Sequence, residues 1–204
     1  MPPTHNHPLQ ISGIILAGGK SQRMGEDKAF IKIGEKPIIE TIIDLFQKVF
    51  KETLIVTNRK DSYLYLKVGV YEDIFPEQGA LGGLYTGLFR SNSFNSFVAA
   101  CDMPFLNKGV INYVCQQADG YDVVVPRTED GFQPLHALYS KRCLGPIETI
   151  LMEEKTRIVD LYPLVRVRVV DFREFVSIDP EMQSFVNINT PEELNRLQNR
   201  KATL

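Results

Sequence analysis

The sequence predicts an α/β fold of three layers, in which a mostly parallel, partly mixed sheet lies between two layers of helices. Short apolar segments alternate along the chain with segments of helical periodicity, which is typical of parallel strands joined by helices. After residue 120 fewer helices separate the strands, and Val165–Val169 alternates like a half-exposed strand. A chain of 204 residues is long enough for one such domain, which should bury roughly 70% of its unfolded surface.

The apolar pattern predicts each element in order. Strands are predicted at residues 11–17, 53–57, 68–72, 96–101, 121–126, 133–140 and 164–171. Helices are predicted at residues 37–50, 82–91, 107–118, 142–154 and 191–200. Pro37 and Pro191 fit the first turn of the first and last helices, where proline is tolerated. Thr190 fits the N-cap of the last helix, with Glu193 three residues later.

The composition limits the domain organisation and the class of protein. Residues 1–10 are rich in Pro and His, so we expect a disordered tail rather than a signal peptide, followed by one domain over residues 11–204. No apolar run reaches the length of a membrane span. The net charge of −2 provides no basic field for nucleic acid, so neither a nucleic acid nor a membrane is expected as a partner.

Cysteine usage predicts a reducing compartment. The chain has 3 cysteines, and their spacing includes neither a CxxC pair nor a metal-binding pattern. An odd number of cysteines without paired spacing is typical of a protein whose thiols stay reduced. We therefore expect a cytoplasmic location.

A glycine-rich loop with three cations follows the first predicted strand. Residues 16–28 read Leu-Ala-Gly-Gly-Lys-Ser-Gln-Arg-Met-Gly-Glu-Asp-Lys, directly after the apolar run Ile11–Leu16. Backbone N–H groups and the charges of Lys20, Arg23 and Lys28 can approach a polyphosphate in such a loop. The loop therefore predicts a nucleotide site.

Two familiar phosphate motifs do not fit this loop. The P-loop pattern requires glycine where the chain has Ile14, and the dinucleotide fingerprint GxGxxG occurs nowhere. The missing fingerprint argues against a dinucleotide-dependent oxidoreductase.

Polar residues follow the first four predicted strands. The glycine loop follows the first strand, Asn58 the second, Asp73 the third and Asp102 the fourth. In an open parallel sheet, ligands bind beyond the carboxyl ends of the strands, near the switch in strand order. The sequence therefore predicts that the four motifs converge on one cleft.

The residues of these motifs resemble a known family. The stretch Leu16–Lys28 resembles the LAGGxSxRMGxDK signature of the molybdenum cofactor guanylyltransferases, within the wider group of sugar-phosphate and cytidylyl nucleotidyltransferases. Further matches follow in the family's order and span nearly the whole chain, at residues 57–59, 72–73, 79–84, 101–106, 133–139 and 187–194. The resemblance implies a Rossmann-like fold of the nucleotide-diphospho-sugar transferase type, with a nucleotide-binding half over residues 11–120 and an acceptor-binding half over residues 121–204.

The resemblance also implies a reaction. The family transfers GMP from MgGTP to the terminal phosphate of molybdenum-molybdopterin, giving the molybdopterin guanine dinucleotide cofactor and pyrophosphate. It implies Mg²⁺ as cofactor, GTP and molybdopterin as small-molecule partners, and molybdoenzyme apoproteins and molybdopterin-supplying proteins as protein partners. Two alternatives are a cytidylyl or sugar-phosphate nucleotidyltransferase of the same fold and a noncatalytic molybdopterin carrier. The intact Asp102, Lys28 and Arg23 argue against a carrier.

Three charged residues are the catalytic candidates that the resemblance implies. Asp102 would hold Mg²⁺, since a carboxylate at a strand end can meet a hard cation and phosphate oxygens. Lys28 would contact the α-phosphate, and Arg23 would fork across the β- and γ-phosphates. On the residues alone, Asp102 could equally cap the following turn, and each cation could be a solvated loop residue.

The predicted nucleotide site consists of backbone groups, two polar side chains and glycines. The base and ribose are expected between Leu16, Ala17, Gly18, Gly19, Asn58, Asp73 and the Gly82-Gly83 helix start. Asn58 and Asp73 can offer amide and carboxylate groups to a purine edge or to ribose hydroxyls. Both residues are also common turn formers after strands, which leaves a purely structural interpretation open.

Acceptor recognition is assigned to the second half of the chain. The candidates are Gln133, His136, Arg157, Asn187 and Asn189. The alternative for His136 is a strand residue with a satisfied imidazole, because Leu135 and Ala137 flank it. Asn187 and Asn189 share one face if their segment is extended, and the alternative for them is hydrogen bonding at a sheet edge.

Overall fold

The computed structural model describes residues 8–18 and 28–188 of the chain. Within these ranges the strands are β1 Leu9–Leu16, β2 Lys32–Ile33, β3 Lys36–Pro37, β4 Phe50–Val56, β5 Gly69–Tyr71, β6 Asn95–Ala100, β7 Val123–Thr128, β8 Gly131–Phe132, β9 His136–Ser140 and β10 Val167–Asp171. The α-helices are α1 Ile38–Val49, α2 Gly79–Arg90, α3 Lys108–Gln116 and α4 Leu144–Met152. Short 3-10 segments include Lys28–Phe30, Lys60–Leu66, Ile158–Leu164 and Gln183–Phe185.

The sequence-based prediction of elements agrees with this structure at seven strands and four helices. The predicted helix at 191–200, with its cap Thr190, lies outside the described residues. Several boundaries were wrong. Strand β4 and helix α2 each begin three residues before the prediction, and β9 and β10 each begin three residues after it. Strand β1 begins at Leu9, within the predicted tail, where Leu9 pairs with Phe50 of β4. The short strands β2, β3 and β8 were not predicted, since two residues are too few to show a periodicity.

Eight of the described strands form a mixed sheet with the order β10-β7-β9-β6-β1-β4-β5, and β8 pairs with β7 off this path. Strands β2 and β3 form a separate two-stranded antiparallel sheet. Neighbouring strands run parallel from β6 through β1 and β4 to β5. Strand β9 is antiparallel to both β6 and β7, and β10 is parallel to β7. Because β9 lies between β6 and β7 and is antiparallel to both, β7 and β10 run in the same direction as the four parallel strands.

Helices cover both faces of the sheet, and the side chains of β1 show why. Ile15 and Ala17 face one core with α1 and α3, whereas Ile14 and Leu16 face the other core with α2 and α4. Alternate residues of a strand point to opposite faces, so a strand buried on both sides is apolar throughout. The predicted three-layer α/β fold is confirmed. Within the described residues no helix is both long and apolar enough to cross a membrane.

Candidate active site

The carboxyl ends of four adjacent strands form the floor of the candidate site. Backbone hydrogen bonds continue the pairing one residue past the ends of these strands, from Cys101 N to Leu16 O at 3.1 Å, from Ala17 N to Val56 O at 2.9 Å and from Thr57 N to Tyr71 O at 3.0 Å. The residues that follow these four strands, after the last paired residue, are Gly18, Asn58, Glu72-Asp73 and Asp102. The structure therefore brings these predicted site segments to one edge of the sheet.

Asp102 lies two residues beyond β6, and its side chain is half-buried. Its Oδ1 atom is buried and has no hydrogen-bond partner within the described residues. Burial raises the pKa of the Asp102 carboxyl, and the charge of Lys28 partly offsets this effect. A buried carboxylate oxygen without a partner is destabilising unless a ligand satisfies it, so Asp102 has the environment of a ligand-binding group.

Lys28 begins the 3-10 segment Lys28–Phe30, which leads from the glycine loop to α1. It is half-buried, and its charge acts on Asp102. The positive charge of Lys28 is thus close enough to influence the Asp102 carboxylate beyond the end of β6. The predicted partners of Lys28 in the loop, Gly19, Lys20 and Arg23, lie outside the described residues, so their roles stay predictions.

Gly18 is the exposed end of the glycine loop within the described residues. Leu16 and Ala17 are buried, whereas a Cβ atom built on Gly18 would meet no described atom within 4 Å. Among the described residues the space beside Gly18 is therefore open, and packing in that part of the protein does not require a glycine there. The open backbone fits close approach by a ligand.

Asn58 is exposed, and its side-chain amide donates a hydrogen bond to the carbonyl of Pro76 at 3.3 Å. This contact ties the loop after β4 to the loop after β5. Thr57 supports the same turn, because its hydroxyl accepts a hydrogen bond from Arg59 N at 3.2 Å. Asn58 thus has a structural role in this turn, and its Oδ1 atom has no hydrogen bond among the described residues.

Asp73 lies two residues beyond β5 and is half-buried. Its Oδ1 atom accepts a hydrogen bond from Phe75 N at 3.0 Å and another from the Thr86 hydroxyl at 2.8 Å. The first of these bonds is an Asx turn, as the structural interpretation expected. The second bond was not predicted, and it joins the loop to α2.

Gly82 has a packing role that the sequence did not indicate. A Cβ atom on Gly82 would lie 2.5 Å from the carbonyl oxygen of Phe75 and 3.3 Å from Oδ2 of Asp73. Residue 82 must therefore be glycine for α2 to approach the loop after β5. This role accounts for the residue without a contact to nucleotide.

Gln133 lies at the same edge of the sheet as Asp102, because two residues further along the chain the Leu135 carbonyl accepts a hydrogen bond from Ala100 N at 3.2 Å. Its side-chain nitrogen donates to Oγ1 of Thr128 at 2.9 Å. The side chain therefore supports the turn between β7 and β8. Its position beside the cleft fits the predicted acceptor role, and its amide oxygen makes no hydrogen bond to the residues that the structure describes.

The structure places His136 in the core, which corrects its interpretation as an acceptor contact. His136 pairs with Ala99 of β6, so its side chain points into the core on the α1 and α3 face, where it is fully buried. The imidazole packs on Phe97 and Phe185, with ring centroids 5.2 Å and 4.7 Å away. The alternative interpretation was also incomplete, because neither ring nitrogen has a hydrogen-bond partner within the described residues.

Burial lowers the pKa of His136 to about 4, so the imidazole is neutral at pH 7. The backbone of Ser184 and the carboxylate of Asp179 only partly offset this effect. A buried histidine that cannot take a proton at neutral pH has no role in proton transfer on the substrate.

Asn187 lies beside Asp102 through a backbone contact. Ile188 N donates a hydrogen bond to the Asp102 carbonyl at 2.8 Å, and Ile188 is fully buried while Asn187 is exposed. The segment before residue 189 thus lies at the cleft, as expected for an acceptor-side or metal-side group. Asn189 lies outside the described residues.

Arg157 is exposed and directly precedes the 3-10 segment Ile158–Leu164. No contact within the part of the chain that the structure describes links its side chain to Asp102. Its predicted role as an acceptor contact stays a prediction.

A family model described as "MobA-like NTP transferase domain" matches residues 13–164 of the chain. The chain is 38% identical over 186 residues to a probable molybdenum cofactor guanylyltransferase of Pelotomaculum thermopropionicum, with 91% of each chain covered. It is 37% identical over 190 residues to a molybdenum cofactor guanylyltransferase of Desulfosudis oleivorans, with 92% of this chain and 94% of the relative covered.

A solved structure has the same architecture. The molybdopterin-guanine dinucleotide biosynthesis protein A of Archaeoglobus fulgidus superposes with a TM-score of 0.81 and covers 95% of this chain and 100% of its own. The two sequences are 22% identical, so this likeness shows the fold alone. The fold is the nucleotidyltransferase type that the sequence predicted.

Proposed function

This chain belongs to the family of MobA-like NTP transferase domains, and on that basis we propose that it transfers GMP from MgGTP to the terminal phosphate of molybdenum-bound molybdopterin. The products are the molybdopterin guanine dinucleotide cofactor and pyrophosphate. The observation that carries the proposal is the half-buried Asp102 just beyond the carboxyl end of β6, whose Oδ1 atom has no hydrogen-bond partner within the described residues and whose carboxyl is influenced by the charge of Lys28. The substrates are inferred from the names of the curated relatives, whose alignments cover more than nine-tenths of this chain.

In the proposed reaction an oxygen of the acceptor phosphate forms a bond to the α-phosphorus of GTP. The bond from that phosphorus to the oxygen that bridges to the β-phosphate breaks, and pyrophosphate leaves with the electron pair. Both reactants are anions, so the protein has to align them and neutralise charge. In this proposal the Lys28 ammonium would stabilise the added charge on the α-phosphate.

Asp102 fits a divalent cation. Its buried Oδ1 atom has no other partner in the described ranges, and no cluster of three His, Cys, Asp or Glu side chains occurs there that could hold a metal by itself. Mg²⁺ bound by one or two carboxylates and completed by substrate phosphates and water is common in phosphoryl transfer. A bound Mg²⁺ would neutralise charge on the phosphate oxygens.

The nucleotide would bind along the loops after β1, β4 and β5. Gly18 leaves its backbone open, and among the described residues neither the amide oxygen of Asn58 nor Oδ2 of Asp73 has a hydrogen bond. The acceptor would lie toward Gln133 and Asn187, on the other side of Asp102. We further propose a cytoplasmic location, because the three cysteines form no disulfide within the described part of the chain.

Substitution of Gly18 by alanine separates ligand binding from packing. We expect Gly18→Ala to leave the Tm unchanged, because the added methyl group meets no described atom within 4 Å. We expect the KM for GTP to rise about 10-fold or more, because the methyl group would occupy space beside the phosphates. Steady-state kinetics and a thermal melt check both outcomes.

Gly82→Ala is the matched control. Its methyl group would lie 2.5 Å from the Phe75 carbonyl, so we expect a clear loss of Tm. Unchanged KM for GTP in Gly18→Ala would place the phosphates elsewhere.

Pyrophosphate release tests the proposed function. The purified protein is incubated with molybdenum-loaded molybdopterin and Mg²⁺, together with GTP, CTP, ATP or UTP in separate reactions. We expect release with GTP alone. Release with CTP would assign the chain to the cytidylyl enzymes, release only with a sugar phosphate in place of the pterin would assign it to the sugar-phosphate enzymes, and silence in all reactions would favour a carrier.

A further inference from the structure

Thr86 makes an unusual contact for a threonine inside a helix. It lies within α2 and is fully buried, and its hydroxyl reaches the loop after β5, 12 and 13 residues earlier in the chain. A threonine in a helix commonly donates its hydroxyl hydrogen to a carbonyl of the preceding turn. The Thr86 hydroxyl instead accepts from Ile74 N at 2.8 Å and donates to Oδ1 of Asp73 at 2.8 Å.

The two hydrogen bonds fix the direction of the hydroxyl hydrogen. Ile74 N can only donate, so the single hydrogen of the Thr86 hydroxyl goes to Asp73. Phe75 N donates to the same Oδ1 atom at 3.0 Å. Oδ1 is thus held by two donors, and Oδ2 has no hydrogen bond within the described residues.

Oδ2 of Asp73 faces the N-terminal part of α2. Cβ atoms built on Gly82 and Gly83 would lie 3.3 Å and 3.8 Å from Oδ2, so this oxygen lies beside the first turns of α2. Asp73 is half-buried and lies at the edge of the sheet that carries Gly18 and Asn58. Rotation of the carboxylate away from this direction would break the bonds to Thr86 and Phe75.

We propose that Thr86 is a positioning residue that holds Asp73 so that Oδ2 accepts a hydrogen bond from a donor group of the bound nucleotide. This inference rests on the proposed function. The donors with suitable chemistry are the N1–H and 2-amino groups of guanine and the hydroxyls of ribose. Thr86 touches no substrate and acts only through Asp73.

Thr86→Val tests the proposal, because valine keeps the shape of threonine and removes the hydroxyl. We expect the KM for GTP to rise about 10-fold while kcat stays within about twofold, since hydrogen bonds to charged groups contribute this much. Thr86→Ser retains the hydroxyl and should restore the KM. In an Asp73→Ala background, Thr86→Val should have no further effect on KM, because the group that it positions is gone.

Nucleotide analogues identify the donor that Asp73 meets. If Oδ2 binds the 2-amino group, Thr86→Val should change the KM for ITP, which lacks that group, much less than the KM for GTP. If Oδ2 binds a ribose hydroxyl, the small effect should appear with the 2′-deoxy or 3′-deoxy analogue of GTP. If Oδ2 binds the N1–H group, the small effect should appear with 1-methyl-GTP, which lacks that hydrogen. An equal effect with ITP, 1-methyl-GTP and both deoxy analogues would overturn the proposal.

A purely structural role predicts a different pattern. Thr86→Val would then lower the Tm and leave the KM of the remaining folded protein unchanged, which would overturn the inference while the proposed function stands. If the unmodified protein released no pyrophosphate with any nucleotide, the proposed function and this inference would both fail.

Discussion

Asp102→Ala is expected to lower kcat/KM for GTP by roughly 10³-fold or more, which corresponds to about 4 kcal/mol of transition-state stabilisation. The physical reason is that Oδ1 of Asp102 is buried without a partner in the described structure, beside the charge of Lys28. Removal of this carboxylate removes the side chain best placed to hold a divalent cation against the phosphates. Steady-state pyrophosphate release measures the loss.

The same substitution should not unfold the protein. The Asp102 backbone carbonyl keeps its hydrogen bond from Ile188 N, so the loop is still attached to the segment before residue 189. Replacement of a buried, unpaired carboxylate by the neutral amide in Asp102→Asn should even raise the Tm, because a charge is more costly to bury than an amide. The matched control is Asp119→Ala, an exposed carboxylate in the turn before β7, which should change neither activity nor Tm. Full activity in Asp102→Ala would remove this residue from the reaction.

His136→Phe is expected to remove a large acid-dependent loss of stability. Burial lowers the pKa of His136 to about 4 in the folded protein, whereas a solvated histidine, as in the unfolded chain, has a pKa of 6.5. The unfolded chain therefore binds more protons between these values, and the stability falls as the pH falls from 6.5 towards 4. Between pH 7.5 and pH 4.5 this linkage amounts to roughly 2–3 kcal/mol. The phenylalanine variant should lack that part of the pH dependence.

Urea unfolding at pH 7.5 and pH 4.5 checks this expectation. The quantity to compare is the change in unfolding free energy between the two pH values, because a change in packing from the larger phenylalanine ring affects both values alike. Phe46→Leu is the control, since it alters the same buried core without a titratable group and should destabilise equally at both pH values. The same pH dependence in His136→Phe and the unmodified protein would show that the imidazole binds a proton as readily in the folded protein as in the unfolded chain. That result would contradict the lowered pKa of the buried His136.

The sequence predicted the architecture because the central parallel strands β1, β4 and β6 are mostly buried on both faces. Strands such as β1 then appear as continuous apolar runs, and α1 shows its apolar positions at helical spacing. Strands β2, β3 and β8 escaped prediction because a two-residue pair carries no periodicity. The start of β1 at Leu9 depends on pairing with Phe50, a long-range contact that local pattern cannot show.

The positions of the site residues along the chain were predictable, because polar residues directly after buried strands lie at one sheet edge. What those side chains contact was less predictable. His136 looks like a candidate ligand in sequence, but its register against Ala99 turns it into the core. Thr86 looks like an ordinary helical residue in sequence. The one signal of its contact with Asp73 was a polar, β-branched side chain on a buried face of α2.

Isotopic labelling of GTP tests the central claim most directly, namely that this cleft transfers the α-phosphoryl group with its nucleoside to a pterin phosphate. The protein, Mg²⁺ and molybdenum-loaded molybdopterin are incubated with GTP labelled with ³²P at either the α- or the γ-position. The account predicts that the α-label enters the pterin product and that the γ-label appears only in pyrophosphate. A γ-label on the pterin, or its release as free phosphate, would contradict the account.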